Sequence, residues 1–165
     1  MTTDIILMPG ECYIGDENYR IRTLLGSCVS ITLWHPKMKI GAMSHFLLPL
    51  RGDKTVLELD GRYADEAMWL LLKDLLSMNV PPTQCEAKIF GGGNMFPQQT
   101  RSERFNVGQR NGEAARSLLR AYKIPIVSEN LFGTGHRKII FEISSGAVWT
   151  RLVEPSPLPD IKKNI

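Results

Sequence analysis

One thiol and one imidazole in the first third of the chain could do nucleophilic chemistry together. Cys28 begins a segment in which apolar and polar residues alternate, and His45 lies near the end of the next strand-like segment. Between them, Pro36 and Lys37 predict a two-residue hairpin turn, because proline fixes the φ angle that a turn needs. Cys28 and His45 are equally far from that turn, so they would lie directly opposite each other, with Cβ atoms about 4.5–5.5 Å apart. A nearby imidazole favours the thiolate, the nucleophilic form of cysteine.

The two faces of this predicted hairpin differ in polarity. Val29, Ile31 and Leu33 recur at every second position and form the better core surface. Cys28 and His45 therefore share the other, more polar face, where the thiol and the imidazole are within reach of each other. A register slip of a single residue would place the two side chains on opposite faces.

The remaining sequence predicts the elements that would hold this hairpin. Short apolar or alternating runs predict roughly six or seven strands, most of them joined in hairpins. Apolar residues at helical spacing predict one helix over residues 62–78 and a second over 112–122, with Asn111 as the N-cap of the second. This order favours an α+β domain with mixed, mostly antiparallel sheets and helices outside. Residues 1–153 would form a single domain, and the proline-rich stretch that follows predicts a C-terminal tail over 154–165.

Composition and charge narrow the class of protein. The 165 residues, 43% hydrophobic and 22% charged, are those of an ordinary soluble globular domain. The net charge of +3 is small and no run of Lys and Arg stands out, so no nucleic-acid partner is predicted. The N-terminus lacks the features of a signal peptide, and no apolar run approaches the roughly 20 residues that span a bilayer. These observations predict a cytoplasmic protein that is not inserted in a membrane.

The cysteine count argues against cross-links and metal sites. Three cysteines without a Cys-x-x-Cys spacing favour free thiols over a disulfide framework or a structural zinc site. Cys12 and Cys85 have no facing histidine and are interpreted as structural thiols. No metal site is predicted.

Five stretches of the chain share the pattern of a known family. They are Thr-Leu-Leu-Gly-Ser-Cys-Val at 23–29, Gly-Ala-Met-Ser-His-Phe-Leu-Leu-Pro at 41–49, Lys-Ile-Phe-Gly-Gly-Gly-Asn-Met-Phe at 88–96, Gly-Gln-Arg-Asn at 108–111 and Arg-Lys at 137–138. Together they resemble the CheD family of chemoreceptor glutamine deamidases. The resemblance implies a layered α/β/β/α sandwich and a protein-glutamine glutaminase that converts particular receptor glutamines to glutamates, regulating bacterial chemotaxis. It also implies two kinds of partner: methyl-accepting chemoreceptors as protein substrates, and a CheC-type phosphatase.

The same resemblance implies roles for three residues, with Cys28 as the nucleophile, His45 as the base and Thr23 as the hydroxyl that orients the imidazole. Deamidation is acyl transfer, in which the thiolate attacks the amide carbon of a glutamine and water then hydrolyses the thioester. No metal or organic cofactor is required. The same chemistry could hydrolyse a glutamate methyl ester, which has the same acyl group.

Two backbone segments are predicted to contact the substrate. The amides of Gly26, Ser27 and the nucleophile are the nearest candidates for stabilising the tetrahedral oxyanion. Gly91 and Gly92 would allow close approach of the substrate chain or line the cleft together with Asn94, and a plain tight turn is the alternative. A phosphate-binding loop is disfavoured because the Gly-Lys-Ser/Thr sequence of such loops does not follow the glycines.

A function from a different class remains open. The chain could be a non-catalytic adaptor that regulates the CheC-type phosphatase, with a vestigial Cys28. The presence of Cys28, His45 and Thr23 together favours the enzyme, because an adaptor has no need of all three. A papain-like protease is disfavoured because its cysteine and histidine lie much farther apart in sequence.

Overall fold

The chain forms nine strands and two α-helices within the residues that the structure, a computed structural model, describes: 1–53, 55, 58–96 and 106–153. In chain order the elements are β1 (Thr3–Ile6), β2 (Cys12–Gly15), β3 (Tyr19–Leu25), β4 (Val29–His35), β5 (Ile40–Ser44), α1 (Ala64–Ser77), β6 (Glu86–Gly91), α2 (Val107–Ala121), β7 (Ile126–Leu131), β8 (His136–Glu142) and β9 (Val148–Val153). The predicted α+β class is confirmed. The short strand β2 has no counterpart among the predicted strands, because four residues are too few to show a clear alternation.

The strands form two sheets. One has four strands in the order β1-β3-β8-β9, and the other has five in the order β2-β5-β4-β6-β7. Neighbouring strands are antiparallel except for β1 with β3 and β6 with β7, which are parallel. The sheets are therefore mixed and mostly antiparallel, as predicted. Strands β3 and β4 follow each other in the chain but lie in different sheets.

Two hydrophobic clusters hold the layers together. Both helices pack on one face of the five-stranded sheet, where the buried side chains include Val29, Ile31 and Leu33 of β4. The opposite face of that sheet packs on the four-stranded sheet through a second cluster that includes Met43 and Phe141. The described residues therefore form α, β and β layers in that order, without the second helical layer expected of an α/β/β/α sandwich. The outer face of the four-stranded sheet mixes charged with apolar side chains, as a solvent-facing surface of an antiparallel sheet does.

The hairpin of β4 and β5 has a different turn from the predicted one. His35 pairs with Ile40, so the loop spans residues 36–39 rather than two residues. The imidazole of His35 accepts the N–H of Met38 at 3.0 Å, and Lys39 takes a left-handed φ of 51°. These features close a longer turn than the proline pattern predicts.

The longer loop shifts the predicted register by two residues. Val29 pairs with Phe46, and in that register His45 faces Ser30 while Cys28 lies diagonally across from His45. The prediction that Cys28 and His45 are directly opposite is wrong. Because the shift is an even number, both side chains still share one face. Diagonal neighbours lie about 7–8 Å apart, within reach of a long side chain.

The second helix begins earlier than predicted. Its first residue is Val107, and its N-cap is Asn106, whose side chain accepts the N–H of Gln109 at 3.3 Å. The prediction of Asn111 as the N-cap is wrong, because Asn111 lies inside the helix with its side chain buried. Gly108 weakens the helical signal before the predicted start, since glycine is a poor helix former.

The first helix agrees with its prediction to within two residues at each end. Neither helix of the described ranges is long and apolar enough to cross a membrane. The predicted tail over 154–165 lies outside the described residues, and the single domain over 1–153 stays a prediction.

Candidate active site

The chain crosses from one sheet to the other at the predicted nucleophile. Strand β3 ends at Leu25 in the four-stranded sheet and β4 starts at Val29 in the five-stranded sheet, so residues 26–28 bridge the two. Cys28 is partly buried and packs against the apolar cluster between the sheets. The thiol therefore lies where the two sheets meet.

His45 reaches the same region from the end of β5, with a side chain that is buried. Its carbonyl oxygen accepts the N–H of Gly10 at 2.8 Å. Val29 and Phe46, which follow Cys28 and His45 in the chain, exchange two backbone hydrogen bonds of 3.1 and 3.0 Å. The segments that carry the thiol and the imidazole are thus bonded directly to each other.

Thr23 contributes a hydroxyl from the other sheet, and its hydrogen bonds fix the imidazole tautomer. Its Oγ1 lies 2.7 Å from Nδ1 of His45 and 2.7 Å from the carbonyl oxygen of Leu7. A carbonyl oxygen only accepts, so the single hydroxyl proton of Thr23 is donated to Leu7. Oγ1 then accepts from Nδ1, which must carry the imidazole proton. This leaves Nε2 of His45 with a free lone pair, the form in which it acts as a base.

Burial keeps both candidate catalytic groups uncharged. It lowers the pKa of His45 to about 4, an effect that the carboxylate of Glu11 partly opposes. Burial also raises the pKa of the Cys28 thiol, while the backbone N–H of the same residue acts in the opposite direction. Near neutral pH the site therefore contains a thiol and a neutral imidazole rather than a thiolate–imidazolium pair. Reaction from this state requires proton transfer to the imidazole during attack, which is general base catalysis.

The glycine loop after β6 supports the segment that carries the candidate nucleophile. The N–H of Gly92 donates to the carbonyl oxygen of Cys28 at 2.9 Å, and the N–H of Gly93 donates to that of Gly26 at 2.9 Å. Gly91 has a φ of 111°, and a Cβ added there would lie 2.2 Å from the carbonyl oxygen of Cys28. The close approach that these glycines permit is thus to the chain's own segment 26–28. Contact of Gly91 and Gly92 with the substrate stays a prediction.

Asn94 ends this loop and uses its side chain locally. Its Oδ1 accepts the N–H of Phe96 at 2.9 Å, and its backbone N–H donates to the carbonyl oxygen of Gly133 at 2.7 Å. The side-chain nitrogen Nδ2 is the group with which Asn94 could contact a substrate, and that role also stays a prediction.

The predicted oxyanion donors lie on the crossing segment. Within the described ranges, the N–H groups of Ser27 and Cys28 bond no backbone carbonyl. They are next to the thiol in the chain, so they are suited to donate to an oxygen that develops negative charge at a carbon attacked by the thiol. Their part in catalysis, like that of Gly26, stays a prediction.

Two buried polar side chains near the site have no functional role in the sequence-based prediction. Arg137 donates from Nε to Oδ1 of Asn130 at 2.7 Å and from Nη1 to the carbonyl oxygen of Gly91 at 3.0 Å, and it also bonds the carbonyl oxygen of Phe132. Asn111 donates from α2 to the segments of both candidate catalytic residues. Both lie in stretches that carry the family resemblance, but their sequence spacing does not show which carbonyl groups they reach.

The other two thiols belong to the cluster under the helices. Cys85 is buried in that cluster and Cys12 packs against it. Burial raises the pKa of Cys12 to about 12 and that of Cys85 to about 11. These features support their interpretation as structural thiols.

Comparison with known proteins identifies a family. Residues 47–152 match a family model described as CheD chemotactic sensory transduction. A protein of Albidiferax ferrireducens, named "Probable chemoreceptor glutamine deamidase CheD 2", is 60% identical over 153 residues, which cover 92% of this chain and 88% of that protein. Two proteins named "Probable chemoreceptor glutamine deamidase CheD" are also similar. The one from Pseudomonas syringae pv. tomato is 44% identical over 149 residues, with 90% of this chain and 88% of that protein covered. The one from Pseudomonas savastanoi pv. phaseolicola is 43% identical over 162 residues, with 98% and 89% covered.

A solved structure from Neisseria meningitidis covers 74% of this chain and 52% of its own, with 11% identity and a TM-score of 0.39. That likeness is too distant to bear on fold or function. The family model and the three relatives extend over most of the chain. The chain therefore belongs to the CheD family.

Proposed function

We propose that this protein is a cysteine-dependent protein-glutamine deamidase that converts specific chemoreceptor glutamines to glutamates and so regulates bacterial chemotaxis. One observation carries the proposal: the hydrogen bond from Nδ1 of His45 to Thr23 leaves Nε2 as a base on the face shared with Cys28. The names of the relatives, which are chemoreceptor glutamine deamidases, support the choice of substrate.

The first half of the reaction forms a thioester. Nε2 of His45 accepts the thiol proton as Sγ of Cys28 attacks the Cδ atom of the substrate glutamine. The carbonyl oxygen becomes an oxyanion, to which the N–H groups of Ser27 and Cys28 donate. Nε2 then returns its proton to the amide nitrogen, the C–N bond breaks and ammonia leaves. Thr23 accepts from Nδ1 throughout, so it holds the ring in place while the imidazole carries a positive charge.

The second half releases glutamate. His45 accepts a proton from water, whose oxygen attacks the thioester carbon, and the C–S bond breaks as the proton returns to the thiolate. The products are the regenerated thiol and a glutamic acid side chain, which loses its proton to solvent and becomes glutamate. A glutamate methyl ester would react by the same steps with methanol as the leaving group, so esterase activity is a further expectation.

The family resemblance also supports a CheC-type phosphatase as a binding partner and the cytoplasm as the place of action. Neither follows from the site geometry. A pull-down of the purified protein with such a phosphatase checks the partner independently of any activity.

The test of the proposed function is mass spectrometry of a receptor helical fragment after incubation with the protein. A deamidated glutamine gains about one dalton, because an amino group is replaced by a hydroxyl group. We expect the gain with the wild type and with Cys12→Ala, which removes a thiol outside the site, and no gain with Cys28→Ala. Deamidation by the Cys28→Ala protein would show that the nucleophile is assigned wrongly. A wild type that binds the phosphatase but modifies no receptor glutamine would favour the adaptor.

A further inference from the structure

Asn111 joins helix α2 to both segments of the candidate active site. Its side-chain nitrogen Nδ2 donates to the carbonyl oxygen of Ser27 at 3.0 Å and to that of Leu47 at 2.8 Å. Ser27 immediately precedes Cys28, and Leu47 lies two residues after His45. The amide group of Asn111 thus donates hydrogen bonds to both segments, the one that carries the thiol and the one that carries the imidazole.

The two donors explain why an asparagine occupies this position. The side chain of Asn111 is fully buried, and its Oδ1 has no hydrogen-bond partner among the described residues. A buried amide oxygen without a partner is destabilising, and asparagine is a poor helix former, so neither packing nor helix propensity favours this residue. Asparagine is the smallest side chain whose single nitrogen donates two hydrogen bonds. We infer that the two hydrogen bonds donated by Nδ2 are the reason for an asparagine at this position, although its Oδ1 has no partner among the described residues.

Close packing of the helix makes the contact possible. A Cβ added at Gly108 would lie 2.5 Å from the carbonyl oxygens of Gly92 and Gly93, and one added at Gly112 would lie 2.4 Å from the ring of Phe132. Asn111 lies between these two glycines on the buried stripe of α2. Without larger side chains in the way, the helix backbone comes close enough for a short side chain to reach both carbonyl groups.

We propose that Asn111 is a positioning residue for deamidation. Its two hydrogen bonds set the distance between Cys28 and His45 that is needed for proton transfer from Sγ to Nε2. This inference rests on the proposed function, since it assumes that both side chains take part in the chemistry. Without the amide, the two carbonyl groups lose a shared donor, and the segments are joined by the hydrogen bonds between Val29 and Phe46 and by the ladder of β4 with β5. The side chain of Asn111 is fully buried and is not exposed to a substrate, so we expect its loss to act on the chemical step.

The first test compares Asn111→Ala with Ala115→Gly, a change one turn further along the buried face of the same helix. We expect both substitutions to lower the thermal stability, and thermal unfolding gives the Tm of each variant. We expect kcat for deamidation of a receptor fragment to fall at least about tenfold in Asn111→Ala with KM changed by less than about twofold, and kcat of Ala115→Gly to stay within about twofold of the wild type. Equal losses of kcat in the two variants at comparable Tm would overturn the proposal.

The second test follows the reaction of Cys28 with iodoacetamide at a series of pH values, with the modified peptide quantified by mass spectrometry. The Cys28 rate depends on its coupling to the imidazole, and His45→Gln shows how the pH profile changes when that coupling is lost. We expect Asn111→Ala to shift the profile in the same direction as His45→Gln, and Ala115→Gly to leave it as in the wild type. A wild-type profile in Asn111→Ala would contradict the positioning role.

If Asn111→Ala does not unfold cooperatively and so is not properly folded, a third variant tests the positioning role in its place. Asn111→Ser retains one donor on a shorter side chain, and we expect its kcat to be lowered with KM maintained; a wild-type kcat would overturn the inference. Failure of the two proposals can be told apart. An active Cys28→Ala protein would overturn the proposed function, whereas an inactive Cys28→Ala with a fully active Asn111→Ala would overturn the positioning role alone.

Discussion

Thr23 and His45 are hydrogen bonded to each other although they belong to different sheets. Oγ1 of Thr23, on β3 of the four-stranded sheet, lies 2.7 Å from Nδ1 of His45, which follows β5 of the five-stranded sheet. Cys28 lies on the segment that crosses between the same two sheets. The candidate catalytic group is therefore assembled by sheet packing, and substitutions can test whether the side chains around it position it.

Replacement of Thr23 by valine tests the orientation of the imidazole. Thr23→Val keeps the shape of the side chain but removes the acceptor for Nδ1 and the donor to Leu7. We expect kcat for deamidation to fall by about 10²-fold, since an acid–base group that loses its orientation forfeits much of its effect. Steady-state kinetics on a receptor fragment measure the change. Thr23→Ser keeps the hydroxyl and should retain most of the activity; an equally inactive Thr23→Ser would mean that methyl packing, not the hydroxyl, matters.

The buried imidazole predicts a specific loss of stability in acid. The pKa of His45 is 6.5 in an unfolded chain and about 4 in the fold, so between these values the unfolded state binds the proton and the folded state does not. Stability from this group is thus fully present above pH 6.5 and is lost as the pH falls towards 4. We expect the loss to amount to about 2–3 kcal/mol between pH 7.5 and 4.5.

Urea unfolding at both pH values, with the wild type and with His45→Gln, separates this effect from that of the other ionisable groups. The free energy of unfolding of the wild type should fall more steeply with acidification than that of His45→Gln. Parallel slopes for the two proteins would argue against a depressed pKa of His45.

A methyl group at position 91 should distort the segment that carries Cys28. Gly91→Ala places a Cβ 2.2 Å from the carbonyl oxygen of Cys28 at a φ of 111°, which alanine rarely adopts. We expect stability to fall by about 2 kcal/mol or more and deamidation to be lost with it. Gly52→Ala is the matched control, because a Cβ there meets no atom of the described residues within 4 Å. Chemical denaturation of both variants gives the comparison, and a stable, active Gly91→Ala would show that the backbone here can relax.

We expect replacement of Arg137 by lysine to destabilise the fold. Its guanidinium group reaches the side chain of Asn130 and the carbonyl oxygens of Gly91 and Phe132 at once, a geometry that a single ammonium group cannot reproduce. Arg137→Lys should therefore lower the free energy of unfolding by about 1–3 kcal/mol. Arg151→Lys, on the neighbouring strand but exposed, should change it by less than about 0.5 kcal/mol. Similar Tm values for the two variants would disprove the bracing role of Arg137.

Local sequence patterns were sufficient to predict the strands next to Cys28. The alternation of Val29, Ile31 and Leu33 identified both β4 and the face that packs against the helices. That parity also placed Cys28 and His45 on one face. The exact register was not predictable, because it depends on a turn closed by the imidazole of His35, and such a turn has no simple sequence signature.

The contacts that complete the site depend on tertiary structure. Asn111 resembles an N-cap in sequence, and only the packing of α2 shows that it donates to Ser27 and Leu47 instead. The hydrogen bond from Thr23 to Leu7 involves a backbone carbonyl, which every residue has. No side-chain pattern can single out such an acceptor, so the tautomer of His45 could not be inferred before the fold was known.

The segment 26–28, which crosses between the sheets, has a consequence for biosynthesis. A chain whose two sheets have formed but not yet docked would have most of its secondary structure, while Thr23 and His45 would still be apart. Cys28 would then lack the imidazole that the hydrogen bond to Thr23 orients. Formation of the candidate site would therefore require docking of the two sheets as well as formation of each sheet.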